Sequence, residues 1–233
     1  MVLKPNASHR MKGGPNLGLP PRRFVGGKPG WSASDTGSTI VAVDLDGVLG
    51  DQVPHVLRLL RLKSGIDLPR GVVTHWDSKV GDIGFDRLIG EYLHLPSFVR
   101  TMPVVVGARR GMRGLSHLAR VVVLTKRPRD SAAPTRQWVA RNFGRGIEVE
   151  VLSRGRKSDY PARILIDDNL QNVMDFVESA PRRVGILYAR PWNSDRAAAF
   201  SLMKARRIVV AKSWPEVTRT VRRLLVGPHR KTE

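Results

Sequence analysis

Two carboxylates, Asp44 and Asp46, follow the apolar run STIVAV and are separated by one residue. Side chains two positions apart in an extended chain point to the same side, and Gly47 permits a sharp turn directly after them. Carboxylate oxygens are hard donors, and Mg²⁺ binds one or two of them together with the oxygens of a substrate phosphate. The pattern is weak evidence by itself, because calcium loops and ordinary turns contain it as well.

Four further polar residues lie at the ends of later apolar runs or shortly before one. Thr125 ends VVVLT, Asp167 and Asp168 end ILIDD, and Lys157 precedes Asp167 by ten positions. Each has a simpler explanation when it is taken alone. Threonine and aspartate are common helix caps, and Lys157 is one cation among many. Their order along the chain, at the ends of successive strands, is what favours a shared site.

Strands and helices alternate along the chain, and this alternation would position those side chains. Strand-like runs occur at STIVAV, RVVVLT, ARILID, RRVGILY and RRIVVA. Helical patterns occur at MRGLSHLAR, TRQWVARNFG, LQNVMDFVES and WPEVTRTVRRLL. The alternation predicts an α/β fold with a doubly wound parallel sheet. Ligands of such sheets bind beyond the carboxyl ends of the strands, where Asp44, Thr125 and Asp168 all lie.

The chain divides into a core, an insertion and two tails. We predict the core over residues 39–50 and 107–226, and a small helical cap over residues 51–106, inserted after the first strand. The cap interval is too long for a simple crossover, and it contains helical patterns in VPHVLRLLRL and FDRLIGEYL. Residues 1–38 are rich in Gly, Pro, Ser and basic residues, so we expect a disordered basic tail, and we expect the basic residues 227–233 to fray.

Charge and cysteine content narrow the classes of function. The 233 residues include 40 Lys and Arg against 20 Asp and Glu, a formal net charge of +20. A field of that sign attracts nucleic acid or anionic substrates, but a GC-rich genome that favours arginine codons explains the excess equally well. The absence of cysteine excludes disulfides, thiolate metal sites and cysteine nucleophiles, and it suits the cytoplasm. No apolar stretch is long enough to span a membrane, and the oligomeric state stays open.

The order of the motifs DLDGV, VVVLT, a lysine and ILIDD resembles that of the haloacid dehalogenase (HAD) superfamily. Within it, PVVVGARRGMRGL, TKRP and RPWN make the chain most similar to the 5′(3′)-deoxyribonucleotidases and related bacterial and phage nucleotidases. The resemblance covers about residues 39 to 215. It implies a Rossmann-like core. An Asp at position 46, where the superfamily's ATPases have Thr, favours a phosphatase.

The resemblance also implies a catalytic role for several residues. Asp44 would attack phosphorus and form an aspartyl-phosphate. Asp46 would protonate the leaving alkoxide as a general acid and then activate water as a general base. Thr125 and Lys157 would stabilise the transferring phosphoryl group through a hydroxyl and a positive charge.

The metal and the substrate would be bound by two further sets of residues. The resemblance assigns the Mg²⁺ cofactor to an acidic set: Asp44, Asp46 through its backbone carbonyl, Asp167 and Asp168. Asp168 matches the direct ligand and Asp167 its outer-shell neighbour, although the sequence leaves this order open. Candidate substrate-binding residues lie in TKRP, in the cap and in RPWN: Lys126, Trp76, Phe85, Trp192 and Asn193. The cap aromatics could stack on a base or pack the cap, and Trp192 could simply pack the last strands.

The resemblance therefore predicts a Mg²⁺-dependent phosphatase acting on a nucleotide-like phosphomonoester, of the 5′ or 3′ deoxynucleotidase type. Two alternatives stay open. The net charge would suit a polynucleotide end phosphatase, and a basic nucleic-acid-binding protein without turnover could use the same scaffold. The motifs do not determine the base, the sugar or the position of the phosphate.

Overall fold

The structure, a computed structural model, describes residues 39–65, 68, 71, 73–74, 78–80, 83–196 and 199–226. Three of the features predicted from the sequence lie outside the described residues. They are the basic tail of residues 1–38, the C-terminal residues 227–233 and the candidate substrate-binding residue Trp76.

The core is built around one parallel sheet. The strands of the described residues are β1 Ile40–Val43, β2 Lys79–Val80, β3 Ile83–Gly84, β4 Arg120–Lys126, β5 Glu148–Leu152, β6 Ile164–Asp167, β7 Val184–Tyr188 and β8 Ile208–Ala211. Six of them form a parallel sheet in the order β5-β4-β1-β6-β7-β8, while β2 and β3 pair as an antiparallel hairpin. The predicted α/β fold with a doubly wound parallel sheet is confirmed.

Helices connect the strands and cover the sheet. They are α1 Gln52–Ser64, α2 Phe85–Leu93, α3 Pro96–Thr101, α4 Ala108–Ser116, α5 Ala132–Phe143, α6 Leu170–Glu178, α7 Phe200–Lys204 and α8 Trp214–Val226. The interval predicted to be a cap, 51–106, contains α1, α2, α3 and the short hairpin, and its division from the core stays a prediction. No described helix combines the length and apolar character needed to cross a membrane.

The central position of β1 decides where a ligand can bind. Val43, its last residue, pairs with Val123 of β4 on one side and with Ile166 of β6 on the other. The chain runs from β1 to β4 and β5 on one side, and then returns to β6, β7 and β8 on the other. Such a reversal is a topological switch point, and ligands of parallel sheets bind in the crevice beside it. Asp44, the first residue beyond β1, lies at that crevice.

The sheet is buried on both faces, and the two faces belong to separate clusters of apolar side chains. Val41 and Val43 belong to one cluster, whereas Ala42 between them belongs to the other. The first cluster includes side chains of α4, α5 and α8, and the second includes side chains of α6. Helices α4, α5 and α8 therefore cover one face and α6 covers the other, which explains the nearly continuous apolar runs of the central strands.

The sequence patterns do not predict β5. Glu148 and Glu150 interrupt its apolar residues, and its side chains are exposed or only partly buried because the strand lies at the edge of the sheet. An edge strand is paired on one side only, so it does not need the apolar run that indicates a central strand. Helix α4 also begins at Ala108, earlier than the pattern starting at Met112 indicates.

Helices α4 and α8 approach closely because Gly111 leaves room for an indole ring. A Cβ on Gly111 would lie 2.1 Å from Cε3 of Trp214. Trp214 is 1% exposed, and its Nε1 donates a hydrogen bond of 3.1 Å to the carbonyl oxygen of Val48 in the loop after β1. The contact between the two helices therefore anchors the loop that carries Asp44 and Asp46.

We expect Gly111→Ala to destabilise the protein although alanine is the better helix former. Alanine gains about 1 kcal/mol over glycine inside a helix, but the added methyl group would overlap the buried indole, and overpacking costs about 1–3 kcal/mol. Gly90→Ala in α2 is the matched control, because a Cβ there meets nothing within 4 Å. Thermal unfolding followed by circular dichroism should show a lower melting temperature for the first variant and a higher one for the control. A raised melting temperature for Gly111→Ala would contradict the close packing.

Candidate active site

A tight loop after β1 carries Asp44 and Asp46 into the crevice. The backbone N–H of Asp44 continues the sheet by donating to the carbonyl oxygen of Ile166, at 2.8 Å. The loop closes at its far side, where the N–H of Gly50 donates to the carbonyl oxygen of Leu45 at 2.7 Å. The first carboxylate is thus held in line with the ends of β1 and β6.

Gly47 meets two requirements that no other residue meets at this position. Its φ is +76°, in the left-handed region that favours glycine. A Cβ at Gly47 would also lie 2.0 Å from Oδ2 of Asp168. The turn predicted from the sequence therefore has a second function, because it lets the loop backbone approach the carboxylate at the end of β6.

Lys157 lies at the centre of the site. Its Nζ is 2.7 Å from Oδ1 of Asp44 and 2.7 Å from Oδ2 of Asp167, and the whole residue is only 3% exposed. It begins a short 3₁₀ turn between β5 and β6, and this turn directs its side chain over the end of β6. The neighbouring cations Arg154 and Arg156 are exposed. Lys157 is therefore the cation of this loop that reaches the carboxylates.

Three buried carboxylates, those of Asp44, Asp167 and Asp168, form a cluster, and the ammonium group contacts the first two. Each offers an oxygen, and these oxygens all lie within 4.8 Å of one another. Asp167 is fully engaged, since Oδ1 accepts from the backbone N–H of Asn169 at 2.8 Å and Oδ2 accepts from Lys157. Asp168 accepts a hydrogen bond at Oδ2 from Nε1 of Trp192, at 2.9 Å. This arrangement is a candidate site for a cation.

The electrostatics of the cluster follow from its burial. Burial raises the pKa of Asp44 to about 7, against the opposing effect of Lys157 and with further contributions from Asp167 and Asp46. Burial also raises the pKa of Asp168 well above its ordinary value, and the Asp44 and Asp167 carboxylates add to this. Burial would lower the pKa of Lys157, but Asp167 and Asp44 raise it above its ordinary value. One ammonium group thus faces more carboxylates than it can neutralise.

Thr125 provides an unsatisfied hydroxyl at the end of β4. The residue is 1% exposed, and its Oγ1 has no hydrogen-bond partner among the described residues. Burying a hydroxyl without a hydrogen-bond partner costs about 1–3 kcal/mol of stability. The unpaired hydroxyl of Thr125 therefore favours a bound ligand that accepts its hydrogen bond. The next residue, Lys126, is exposed.

Asp46 is held by a residue that the sequence interpretation missed, Arg127. Nε of Arg127 donates to Oδ2 of Asp46 at 2.7 Å and Nη2 donates to Oδ1 at 2.5 Å, a bidentate contact. Nη1 also donates to Oγ1 of Thr135 in α5 at 3.0 Å, and the Arg127 side chain is 0% exposed. A signal was present, because Thr125 and Arg127 are two positions apart and therefore point to the same side.

The RPWN segment donates hydrogen bonds to both the side chain and the backbone of Asp168. Besides the contact of Trp192, Nδ2 of Asn193 donates to the carbonyl oxygens of Asp168 and Tyr188, both at 2.8 Å. Trp192 is 9% exposed and Asn193 is 4% exposed. The structure therefore places both predicted substrate-binding residues in contact with an acidic residue of the site. Arg190 was also missed, and its Nε donates to the carbonyl oxygen of Gly47 at 2.6 Å.

Of the two roles that the sequence leaves open for Phe85, base stacking and packing, the structure shows packing. Phe85 is 0% exposed and belongs to the buried cluster that includes Val43 and Trp138. In this structure its ring has no accessible surface that a nucleobase could contact. The sequence does not distinguish this outcome from stacking, because an aromatic residue at the start of an amphipathic helix suits either.

The family model that matches the chain, over residues 38–222, is described as 5′ nucleotidase, deoxy (Pyrimidine), cytosolic type C protein. No curated protein matches the chain. A HAD family hydrolase from Deinococcus radiodurans R1, solved with bound phosphate and sodium, has a TM-score of 0.53 and 18% identity over 83% of this chain and 100% of that chain. A haloacid dehalogenase-like hydrolase from Streptococcus pneumoniae has a TM-score of 0.53 and 14% identity over 78% and 97%. A HAD hydrolase from Bacillus subtilis bound to magnesium has a TM-score of 0.52 and 10% identity over 79% and 99%.

The family match covers most of the chain and includes the whole interval from Asp44 to Asn193 that forms the site. At these low identities, the similar structures show the fold alone, and that fold is the HAD fold. The resemblance stated from the sequence is therefore confirmed. The chain belongs to the family of deoxy (pyrimidine) cytosolic type C 5′-nucleotidases and is a phosphomonoester hydrolase of the HAD type.

Proposed function

We propose that this protein removes the phosphate from a deoxynucleoside monophosphate, with Mg²⁺ as its cofactor. The observation that carries the proposal is the contact of Asp44 with Lys157, at 2.7 Å, together with the unpartnered hydroxyl of Thr125 at the end of the neighbouring strand β4. A nucleophile, a fixed cation and a free donor lie together at the carboxyl edge of the sheet. The description of the matching family supports the deoxynucleotide substrate class and a cytoplasmic location.

The donor set fits Mg²⁺, which prefers hard oxygen ligands. We assign the direct contacts to the carboxylates of Asp44 and Asp168 and to the backbone carbonyl of Asp46. Asp167 belongs to the outer shell, because both of its oxygens already accept hydrogen bonds from the protein. When bound, the ion offsets the negative charge of the carboxylates and of the substrate phosphate, so that a carboxylate can approach phosphorus.

The first half of the reaction depends on Asp44. One of its carboxylate oxygens attacks phosphorus, a bond forms between them, and the bond from phosphorus to the leaving oxygen breaks. Lys157 supports this step by favouring the ionised form of Asp44, which burial alone disfavours. The hydroxyl of Thr125 donates a hydrogen bond to an oxygen of the transferring phosphoryl group.

Asp46 acts in both halves of the reaction. In the first half it gives a proton to the leaving oxygen of the nucleoside. In the second half it takes a proton from the water that attacks phosphorus, while the bond from phosphorus to Asp44 breaks and inorganic phosphate leaves. Both transfers need the carboxyl group at one place within reach of the leaving oxygen. Arg127 holds both oxygens of Asp46 in the structure, and one of these oxygens must leave Arg127 to carry the transferred proton. We assign Arg127 the role of a positioning residue.

Hydrolysis measured on a panel of substrates tests the proposal. We expect Mg²⁺-dependent release of phosphate from p-nitrophenyl phosphate and from 5′- or 3′-deoxynucleotides, and loss of this activity in EDTA. Preference for the 5′-phosphate of an oligonucleotide over free nucleotides would favour the polynucleotide end phosphatase instead. A folded protein without chelator-sensitive turnover on any of these substrates would favour the binding protein that lacks activity.

Asp44→Asn should abolish turnover while the protein stays folded. The amide has nearly the same shape and can still accept a hydrogen bond from Lys157, but it cannot serve as the attacking carboxylate. Glu178→Gln on the exposed end of α6 makes the same chemical change outside the site and should leave turnover unchanged. Steady-state kinetics with p-nitrophenyl phosphate provides the measurement. Activity of Asp44→Asn within tenfold of the parent would show that another group is the nucleophile.

Asp168→Asn should raise the melting temperature in EDTA and remove most of the stabilisation by Mg²⁺. Without the ion, burial and the neighbouring carboxylates make the ionised form of Asp168 unfavourable. A neutral asparagine at this position should therefore stabilise the folded protein. In the parent protein, Mg²⁺ at 100 times its dissociation constant should add about 2.7 kcal/mol of stability. Differential scanning fluorimetry with MgCl₂ and with EDTA measures both effects, with Glu178→Gln as control. An undiminished Mg²⁺ shift in the variant would exclude Asp168 as a ligand.

Arg127→Lys should lower kcat on a deoxynucleotide by roughly 10²-fold. Lysine keeps the positive charge, but it cannot make the bidentate contact that orients Asp46. The loss should be much smaller for p-nitrophenyl phosphate, because that leaving group does not need a proton from Asp46. Arg129→Lys in the adjacent exposed turn is the control and should match the parent. Equal losses on the two substrates would mean that Arg127 supports only the fold.

A further inference from the structure

The sheet face covered by α4, α5 and α8 is rich in arginine. The three helices contain eight arginines and no lysine, and all eight are exposed: Arg109, Arg110, Arg113, Arg136, Arg141, Arg219, Arg222 and Arg223. Their single acidic residue is Glu216. We refer to these eight residues as the arginine face. The helices are neighbours, since α4 packs against both α8 and α5, so the eight side chains share one surface.

The opposite face of the sheet is mixed in charge. Its main helix, α6, contains Asp175 and Glu178 and no basic residue. Helix α7, whose Leu202 and Met203 pack against the same apolar cluster, ends at the exposed Lys204. The arginine face differs because its eight exposed arginines share three neighbouring helices with one acidic residue. A basic cluster of this kind is expected for a surface that contacts a polyanion.

The described residues place no carboxylate against the arginine face. Within the part of the chain that the structure describes, no carboxylate lies within 4.0 Å of a basic nitrogen of these eight residues. Arg109 donates to Oδ1 of Asn142 at 2.6 Å, and Arg141 donates to the carbonyl oxygen of Arg100. Both acceptors are uncharged, so these two contacts leave the positive charges of Arg109 and Arg141 uncompensated.

The apolar residues of the three helices are directed towards the sheet. Met112, Trp138, Trp214 and Val221 are each no more than 1% exposed. Among the described residues of these helices, only Val226, at the end of α8, is a large hydrophobic side chain exposed to solvent. A helix that inserts into a membrane surface needs an accessible apolar side next to its basic side. The arginine face lacks one, so a hydrated anionic polymer fits it better than a lipid surface.

We propose that the arginine face binds the phosphodiester backbone of a nucleic acid, without dependence on its base sequence. A planar guanidinium group can bind a phosphate through two hydrogen bonds. Helix α8 has 13 residues, and such a helix is about 20 Å long. This length matches about six base pairs of duplex at roughly 3.4 Å each. The binding is a property of the helix surface and does not depend on the proposed phosphatase reaction.

The test compares two triple variants of the full chain that lose the same charge. Arg219→Gln with Arg222→Gln and Arg223→Gln removes three cations from the arginine face. Arg163→Gln with Arg182→Gln and Lys204→Gln removes three exposed cations that lie elsewhere. Binding of a fluorescein-labelled 20-base-pair duplex DNA is measured by fluorescence anisotropy between 50 and 200 mM KCl, and folding is checked by thermal melting.

We expect the parent protein to bind the duplex with a steep dependence on salt. The α8 triple variant should lose about 2.7 from the slope of log K against log salt, because each phosphate contact contributes about 0.9. It should also bind at least about tenfold more weakly at 100 mM KCl, while the control triple changes affinity by less than about threefold. If the α8 triple variant does not fold, Arg110→Gln with Arg113→Gln and Arg136→Gln tests the same surface through α4 and α5.

Three results would overturn the proposal. The first is an absence of duplex binding by the parent protein at 50 mM KCl. The second is an equal loss of affinity in both triple variants, which would mean that net charge rather than this surface attracts DNA. The third is tighter binding to phosphatidylcholine vesicles containing phosphatidylglycerol than to the duplex, with loss in the α8 variant, which would assign the surface to membranes.

Discussion

The ammonium group of Lys157 is buried between the carboxylates of Asp44 and Asp167, at 2.7 Å from an oxygen of each. Moving a charge from water into the protein interior is unfavourable, and a partner of opposite charge offsets this penalty. Removing one partner of a buried ion pair therefore costs about 3–5 kcal/mol of stability. The contact needs β1 and β6 side by side, with the turn that carries Lys157 above the end of β6. Asp168 then adds a further buried carboxylate. The site is therefore complete only when a cation or a protonated carboxyl group balances that charge.

A second group of side chains holds the charged centre in place. Trp192 and Asn193 bind Asp168 through its side chain and its backbone, and Arg190 binds the carbonyl oxygen of Gly47. Such outer contacts determine the orientation of ligands and catalytic groups, and proteins depend on them nearly as much as on the ligands themselves. Several of these donors come from the segment after β7, which is separated from β1 by β6 in the sheet. This segment therefore contributes directly to the geometry of the loop after β1.

Arg127 has the same function for the other aspartate of the loop. Its guanidinium group joins Asp46 to α5 through Thr135 and lies beside Sδ of Met102, at 3.6 Å. Met102 belongs to the segment by which the chain returns from the interval 51–106 to the core. The position of Asp46 is thereby coupled to the packing of that segment. The arginine face is built differently, since none of its arginines is paired with a carboxylate of the described residues.

The sequence by itself determined the α/β class, the parallel sheet and the meeting of Asp44, Thr125 and Asp168 at one edge. These features follow from local patterns, because apolar runs indicate buried strands and parallel strands end at the same edge. The sequence also supplied the motif order that identified the superfamily. The weakly apolar strand β5 was not predicted from the sequence, because an edge strand does not need an uninterrupted apolar run.

Only the tertiary structure decided which donor meets which carboxylate. Arg127 and Asp46 are 81 positions apart, and Trp192 and Asp168 are 24 apart, so no local pattern connects them. The burial of Phe85 and the grouping of eight arginines on three neighbouring helices likewise depend on how the helices pack. Spacing along the chain specifies which residues end a strand, whereas the contacts of a side chain depend on segments that are distant in sequence and meet only in the folded protein.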